Sequence, residues 1–189
     1  MILNPINPRN LSLQPYDILE FRSMLLTSGD FTTGHFNMMT IGWGAFGTMW
    51  NKPLAIVVVR PTRYTIDFME KYPDFTITAF PYDYRKALSI LGTKSGKDTN
   101  KLELSGLTPA AAKKVSSPTY TQAELSIECR KTYFDDFEPA HFLDSSILNN
   151  YPAKDFHRIY FGEIIHVEGI EKYAAKFYAD KVQDHRDKL

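Results

Sequence analysis

The sequence predicts a mainly β protein, a mostly antiparallel barrel with peripheral helices. Three observations support this fold class. Five or six segments carry strand signatures, the helices fall between them without a strict βαβ rhythm, and no strand leads into a GxGxxG turn. With 189 residues, the chain is sized for a single domain, 1–189, flanked by an arm over 1–17 and a C-terminal helix and tail over 170–189.

Pro5, Pro8 and Pro15, interspersed with asparagines, make residues 1–17 read as an extended arm. Ile18–Thr27 reads as the first strand, with Ser28-Gly29-Asp30 as a turn. Met38, Thr40 and Gly42 then alternate with Met39, Ile41 and Trp43, as in a strand with two different faces. Gly42, Gly44 and Gly47 mark places where the backbone bends or lets a ligand approach. Beyond Asn51-Lys52-Pro53, the β-branched run Leu54–Val59 reads as a buried strand. It stops at Arg60-Pro61-Thr62-Arg63, and a helix over 63–71 follows, with Thr62 as its cap and Pro73 as its stop.

Phe75–Phe80 alternates as a strand. Asp83 is read as the cap of a helix over Tyr84–Leu91, with Ala87, Leu88 and Leu91 on one face and Gly92 as its terminating glycine. The polar loop Thr93–Asp98 and a short helix near Asn100–Ser105 come next. Thr119–Phe137 contains a long strand with Leu125, Ile127 and Cys129 on one face. Pro139–Pro152 is irregular, Phe156–Val167 is the last strand, and Glu171–Val182 is an amphipathic helix with Tyr173, Ala174 and Phe177 on one stripe.

Composition excludes several classes of function. Lys plus Arg and Asp plus Glu number 22 each, so no global basic field recruits nucleic acid. A single cysteine, Cys129, rules out an internal disulfide, fits a reducing cytoplasm and reads as an inert buried thiol. The N-terminus lacks the pattern of a secretory signal, and Leu54–Val59 falls far short of the roughly 20 apolar residues that span a bilayer. The expectation is a cytoplasmic protein with no membrane or nucleic-acid partner. Aromatic residues make up 14% of the chain, which suits a core, an interface and a planar-ligand site equally.

The loop from Gly92 to Asp98 evokes a Walker phosphate loop only superficially, and it follows a helix rather than a strand, so a nucleotide triphosphatase is dismissed. It has three residues between its glycines instead of four, and Asp98 stands where Ser or Thr should be. The five histidines, at 35, 141, 157, 166 and 185, lack ligand spacing, so no metal is expected. No GxSxG elbow exists, and Asp135-Asp136 with Glu138 reads as a solvated loop. What remains is anion binding. Arg60, Thr62, Arg63 and Thr65 lie within one turn, and Lys94-Ser95-Gly96-Lys97 forms a second cationic loop able to close over the same phosphate.

Asn37-Met38-Met39-Thr40-Ile41-Gly42-Trp43-Gly44, Trp50-Asn51-Lys52-Pro53, Arg60 to Thr65 and Lys94 to Asp98 together resemble the flavin reductase-like, FMN-binding split-barrel family, flavoredoxins included. Leu107-Thr108-Pro109, Glu128-Cys129-Arg130 and His157 through Ile164 continue the match in order, from about Phe21 to Val167. The resemblance implies a Greek-key split β-barrel that dimerises and holds FMN noncovalently near the subunit interface. It lays Asn37, Met38, Met39, Thr40, Ile41, Gly42 and Trp43 along the isoalloxazine, and it sets Arg60, Pro61, Thr62, Arg63, Thr65, Lys94, Ser95, Gly96 and Lys97 around the phosphate. His157 is either a flavin neighbour or a structural strand histidine. Trp50 is either an interface side chain or a flavin contact. Three functions fit: an NAD(P)H-dependent flavin reductase serving free flavin or a partner protein, a flavoredoxin-like electron carrier, and a non-enzymatic flavin-binding protein. In the first, NAD(P)H is a transient co-substrate, and no catalytic residue is singled out.

Overall fold

The structure is a computed structural model, and it describes residues 2–175. Eight strands build one sheet: β1 (Asn4–Ile6), β2 (Met24–Asp30), β3 (His35–Ile41), β4 (Gly44–Met49), β5 (Lys52–Val59), β6 (Asp74–Ala79) and two long strands near the C-terminus. A small hairpin, β7 (Pro109–Ala110) with β8 (Thr119–Tyr120), precedes the long strands β9 (Leu125–Asp136) and β10 (Arg158–Gly169). Three helices, α1 (Thr65–Lys71), α2 (Arg85–Thr93) and α3 (Lys101–Ser105), lie outside the sheet.

Every pairing is antiparallel, in the order β3-β2-β6-β9-β10-β5-β4, with β1 added along β10. The sheet rolls into a split β-barrel. Its two free edges, β3 and β4, follow each other in the chain through Gly42-Trp43. Met24, Leu26, Phe75, Ile77, Leu125 and Ile127 fill the interior, none of them measurably exposed. At about 1.5–3 kcal/mol per large apolar side chain, this interior is the main source of stability. A second cluster, with Leu25 and Met38 against Ala87, Leu88 and Leu91, seats α2 on the outer face. The helix face read from the sequence is therefore the buried one. Leu125, Ile127 and Cys129 likewise share the buried face expected of them.

Several expectations are corrected. Residues Tyr16–Phe21 form a π-helical turn with Ile18 and Leu19 buried, and the first strand begins only at Met24. A short apolar run suits either element, and tertiary contacts chose. Ser28-Gly29-Asp30 is strand rather than turn, because the Ser28 hydroxyl donates to the carbonyls of Phe68 and Asp74 and ties it into the interior. The reversal comes at Phe31–Gly34. The arm is extended but not free, since Asn4–Ile6 completes the sheet on β10.

Trp50-Asn51, at φ 52° and 57°, makes the β4–β5 hairpin turn, so Lys52 and Pro53 already belong to β5. Thr62 caps nothing: α1 starts at Thr65 without a side-chain cap, and Arg60–Arg63 closes a turn of its own. Asp83 does not cap α2 either, because a 3-10 turn at Tyr82–Tyr84 comes first. Gly92 lies inside α2, where a methyl group would come within 3.1 Å of Thr40 Cβ, so it serves close packing on β3. Thr119–Phe137 does contain the expected long strand, β9, which begins at Leu125 after the short β8 at Thr119–Tyr120. The expected C-terminal helix shows a 3-10 turn at Glu171–Tyr173, and Phe177 lies outside the described residues.

Among the described residues, no helix is long and apolar enough to cross a membrane.

Candidate functional site

The outer edge of β3 organises the site. Antiparallel pairing with β2 satisfies alternate residues, and the Met38 carbonyl, on the unpaired side, accepts from Lys101 Nζ. By the same alternation, Thr40 also turns its backbone groups away from β2. An edge strand of this kind offers main-chain donors and acceptors to whatever lies beside it.

Two clefts border this edge. The first, of about 220 Å³, is lined by Met39, Thr40, Ile41, Gly42 and Trp43 from β3 and its turn, with Val58, Arg60, Arg63 and His157 opposite. The second, of about 500 Å³, lies between Asn37–Met38 and the segment Gly96–Leu102. Asn37 links them to the start of α1, donating through Nδ2 to the Thr65 hydroxyl at 3.0 Å. Gly96 packs so tightly here that a methyl group would sit 2.5 Å from Asn37 Oδ1. Lys97 lies over the Tyr64 ring, 5.1 Å from its centre, and 3.9 Å from the Asp67 carboxylate.

The two arginines differ. Arg60 is committed: its guanidinium donates to Asp155 at 2.8 Å and to the Asn150 carbonyl at 2.9 Å, over the Tyr151 ring. This clamp holds the 150–155 excursion against the barrel and neutralises much of the charge. Arg63 has no acidic partner among the described residues, so its planar fork remains open to a ligand. His157 is buried beside Trp43, with ring centres 5.2 Å apart, and its Nδ1 shares a hydrogen bond of 2.8 Å with the Tyr151 hydroxyl.

Burial first, then the positive field of Arg60, lowers the His157 pKa to about 4, against the opposing pull of Asp155. The ring is neutral at pH 7. An unfolded histidine titrates near 6.5, so between about 6.5 and about 4 the unfolded chain takes up a proton that the folded one refuses. This contribution to stability is complete above pH 6.5 and is lost as pH falls through that window. His157→Asn preserves a partner for Tyr151 and is expected to flatten the pH slope of the urea unfolding free energy there. An unchanged slope would show that the native ring titrates normally.

The structure thus gathers most of the residues singled out from the sequence. Met39 to Trp43, Arg60, Arg63 and His157 share one cleft, Asn37, Met38, Gly96 and Lys97 share its neighbour, and Thr65 is reached through Asn37. The Met38 side chain points into the α2 core, and only its backbone faces the site. Pro61, Thr62, Lys94 and Ser95 are exposed and line neither cleft. Trp50 sits at the far end of the 8-residue β5, roughly 25 Å of extended chain from Arg60. It packs there with Tyr133 and Phe161. Sequence reasoning missed Tyr64 and Lys101. Neither carries a local signal, and Lys101 is distinguished only by its burial at 4% exposure.

A model of the flavin reductase like domain matches residues 21–184, most of the chain. The protein belongs to the flavin reductase-like family. An uncharacterised relative from Archaeoglobus fulgidus is 26% identical over 131 residues, which is 69% of this chain and 64% of that protein. The chain therefore spans a little under two thirds of the curated relative's length. Among solved structures, it resembles an FMN-binding domain of a flavin reductases-like enzyme from Shewanella baltica, with TM-score 0.64 and 16% identity over 89% of this chain and 77% of the other. It also resembles a flavoredoxin from Methanosarcina acetivorans, with TM-score 0.61 and 22% identity over 80% and 70%. At these identities the structural likeness establishes the fold, and the family assignment rests on the sequence model.

Proposed function

We propose that this flavin reductase-like protein binds FMN noncovalently along the outer edge of β3 and acts as an NAD(P)H-dependent flavin oxidoreductase. The observation that carries the reading is the pairing of two receptors on one strand. The unpartnered Arg63, with Lys97, Asn37 and the Gly96 loop, suits an anionic tail, while Trp43, His157 and the free main chain near Thr40 suit a planar heterocycle. The residues present fit the cofactor, because Arg63 has no counter-anion among the described residues and Lys97, 3.9 Å from the exposed Asp67 carboxylate, lies close enough to add to the same anion site. The FMN-binding neighbour from Shewanella baltica supports this choice.

When bound, FMN supplies the hydride-accepting and electron-passing chemistry that amino-acid side chains lack. Arg63 and Lys97 hold the tail. The Asn37–Thr65 hydrogen bond fixes the start of α1 against β3 and keeps the tail's distance from the ring site constant. Main-chain groups of β3 orient the ring's polar edge, Trp43 shields one side from water, and neutral His157 adds no positive charge beside the ring. Hydride transfer needs no general base, which fits a cleft without a carboxylate–histidine dyad. NAD(P)H serves as a transient co-substrate, and electrons pass on to free flavin or a redox partner protein, in a reducing cytoplasm where Cys129 stays a thiol.

Anaerobic mixing of the FMN-loaded protein with NADH and with NADPH tests this directly. Rapid bleaching of the oxidised flavin band is expected. Bleaching only by a reduced protein donor would replace the reductase with an electron carrier, and failure to retain FMN would remove the flavin reading altogether.

We further propose a homodimer through the aromatic face around Trp50, at the other end of the barrel; this sets the interface apart from the clefts, in contrast to the expectation of FMN near the subunit interface. Trp50 and Tyr133 are 55% and 47% exposed there and pack against each other and against Phe161. Trp50→Asn keeps a residue that tolerates the left-handed turn while removing the indole. It is expected to weaken the dimer roughly 30-fold, as for an aromatic anchor, by sedimentation. An unchanged association constant would place the interface elsewhere.

A further inference from the structure

The neutral His157 ring carries its proton on one nitrogen or the other, and that choice decides what the ring offers the cleft. Nδ1 is engaged, 2.8 Å from the Tyr151 hydroxyl, and both side chains are buried. Burial raises the Tyr151 pKa, against the pull of Arg60, so the hydroxyl keeps its proton. That proton needs an acceptor, and among the described residues Nδ1 is the one within reach. Were Nδ1 protonated instead, it would donate to the phenol oxygen and leave a buried O–H unpaired, which is costly.

Tyr151 is itself held on several sides. Its ring lies 5.0 Å from the Arg60 guanidinium, which grips Asn150 and Asp155 on either side of it in the chain. Phe142 and Phe156 pack on the same ring, with centres 6.1 Å and 4.8 Å away. The clamp that fixes the 150–155 excursion therefore also fixes the hydroxyl. Nε2 has no protein partner among the described residues, and the His157 ring lines the smaller cleft.

We propose that Tyr151 is a positioning residue: its O–H donates to His157 Nδ1, which places the ring proton on Nε2 and presents an N–H donor to an acceptor atom of the heterocycle bound in the cleft. This rests on the FMN reading above and adds to it a residue that acts through His157. Arg60, already spent on Asp155, then serves the cleft indirectly by holding Tyr151.

The test is the long-range proton–nitrogen correlation spectrum of ligand-free wild type and Tyr151→Phe at pH 7, repeated with FMN, alongside FMN affinity by flavin fluorescence. Wild type should show His157 as a single tautomer protonated on Nε2, and FMN should shift Nε2 and its proton more than Nδ1. Tyr151→Phe keeps a ring beside Arg60 and removes the hydroxyl. Its two tautomers should mix, and FMN should bind about 3- to 10-fold more weakly, as for one neutral hydrogen bond. A proton on Nδ1 in wild type, a tautomer unchanged in Tyr151→Phe, or an FMN complex in which Nε2 does not shift would overturn the proposal. Should Tyr151→Phe fail to fold, the wild-type spectra decide alone. If wild type retains no flavin, the FMN reading fails by itself. An Nε2 proton that Tyr151→Phe redistributes would then sustain the positioning of His157, and its absence would overturn that too.

Discussion

Replacing Arg63 with alanine is expected to weaken FMN binding by about 1.5–3 kcal/mol, roughly 10- to 150-fold, while riboflavin affinity stays within about twofold. The argument rests on contrast with its neighbour. Arg60 lines the same cleft, but Asp155 and the Asn150 carbonyl already occupy its fork, so its loss would loosen the 150–155 excursion. Arg63 is held by its backbone alone, through the turn closed by its N–H on the Arg60 carbonyl at 3.0 Å. Its side chain makes no hydrogen bond or ion pair among the described residues that gripping an anion would break, so the binding loss should appear with little stability loss. Isothermal titration with both flavins, alongside a urea melt, reads the two effects separately. Equal losses for FMN and riboflavin would show that Arg63 does not meet the phosphate.

Gly29→Ala is expected to lower stability by about 3 kcal/mol or more, and the melting temperature by roughly 6–12 °C for a chain of this length. Gly29 adopts φ 142°, in a region that L side chains rarely enter. A methyl group there would lie 2.3 Å from Phe36 Cα and 2.4 Å from the His35 carbonyl oxygen, which are backbone atoms of the paired strand and cannot rotate away. Relief would require moving β3, the strand that carries the site. Flavin affinity should therefore fall together with stability, unlike in Arg63→Ala. A melting temperature within about 2 °C of wild type would show that the β2–β3 pair absorbs the methyl group at little cost.

These two residues also show how far the sequence could be read. Arg63 was legible because an apolar strand ending in Arg-Pro-Thr-Arg, followed by helical spacing, is a local pattern. Gly29 was read as a turn, since Ser-Gly-Asp has turn chemistry and the demand for glycine came from Phe36 across the ladder. Thr62 and Asp83 had capping chemistry, yet neither caps, because the preceding turns displaced the helix starts to Thr65 and Arg85.

By itself, the sequence determined the strand-rich class, the two faces of β3, the buried runs of β5 and β9, the amphipathic face of α2 and the cationic turns. Each follows from side-chain periodicity over a few neighbouring residues. Only the tertiary structure decided that Arg60 is spent on Asp155, that Trp50 faces away from the cleft, and that Lys101 is buried beside Met38. Those outcomes depend on desolvation and on partners 63 or more residues distant for Lys101 and 95 for Arg60. Charge and burial become one energy only once the chain has brought such partners together.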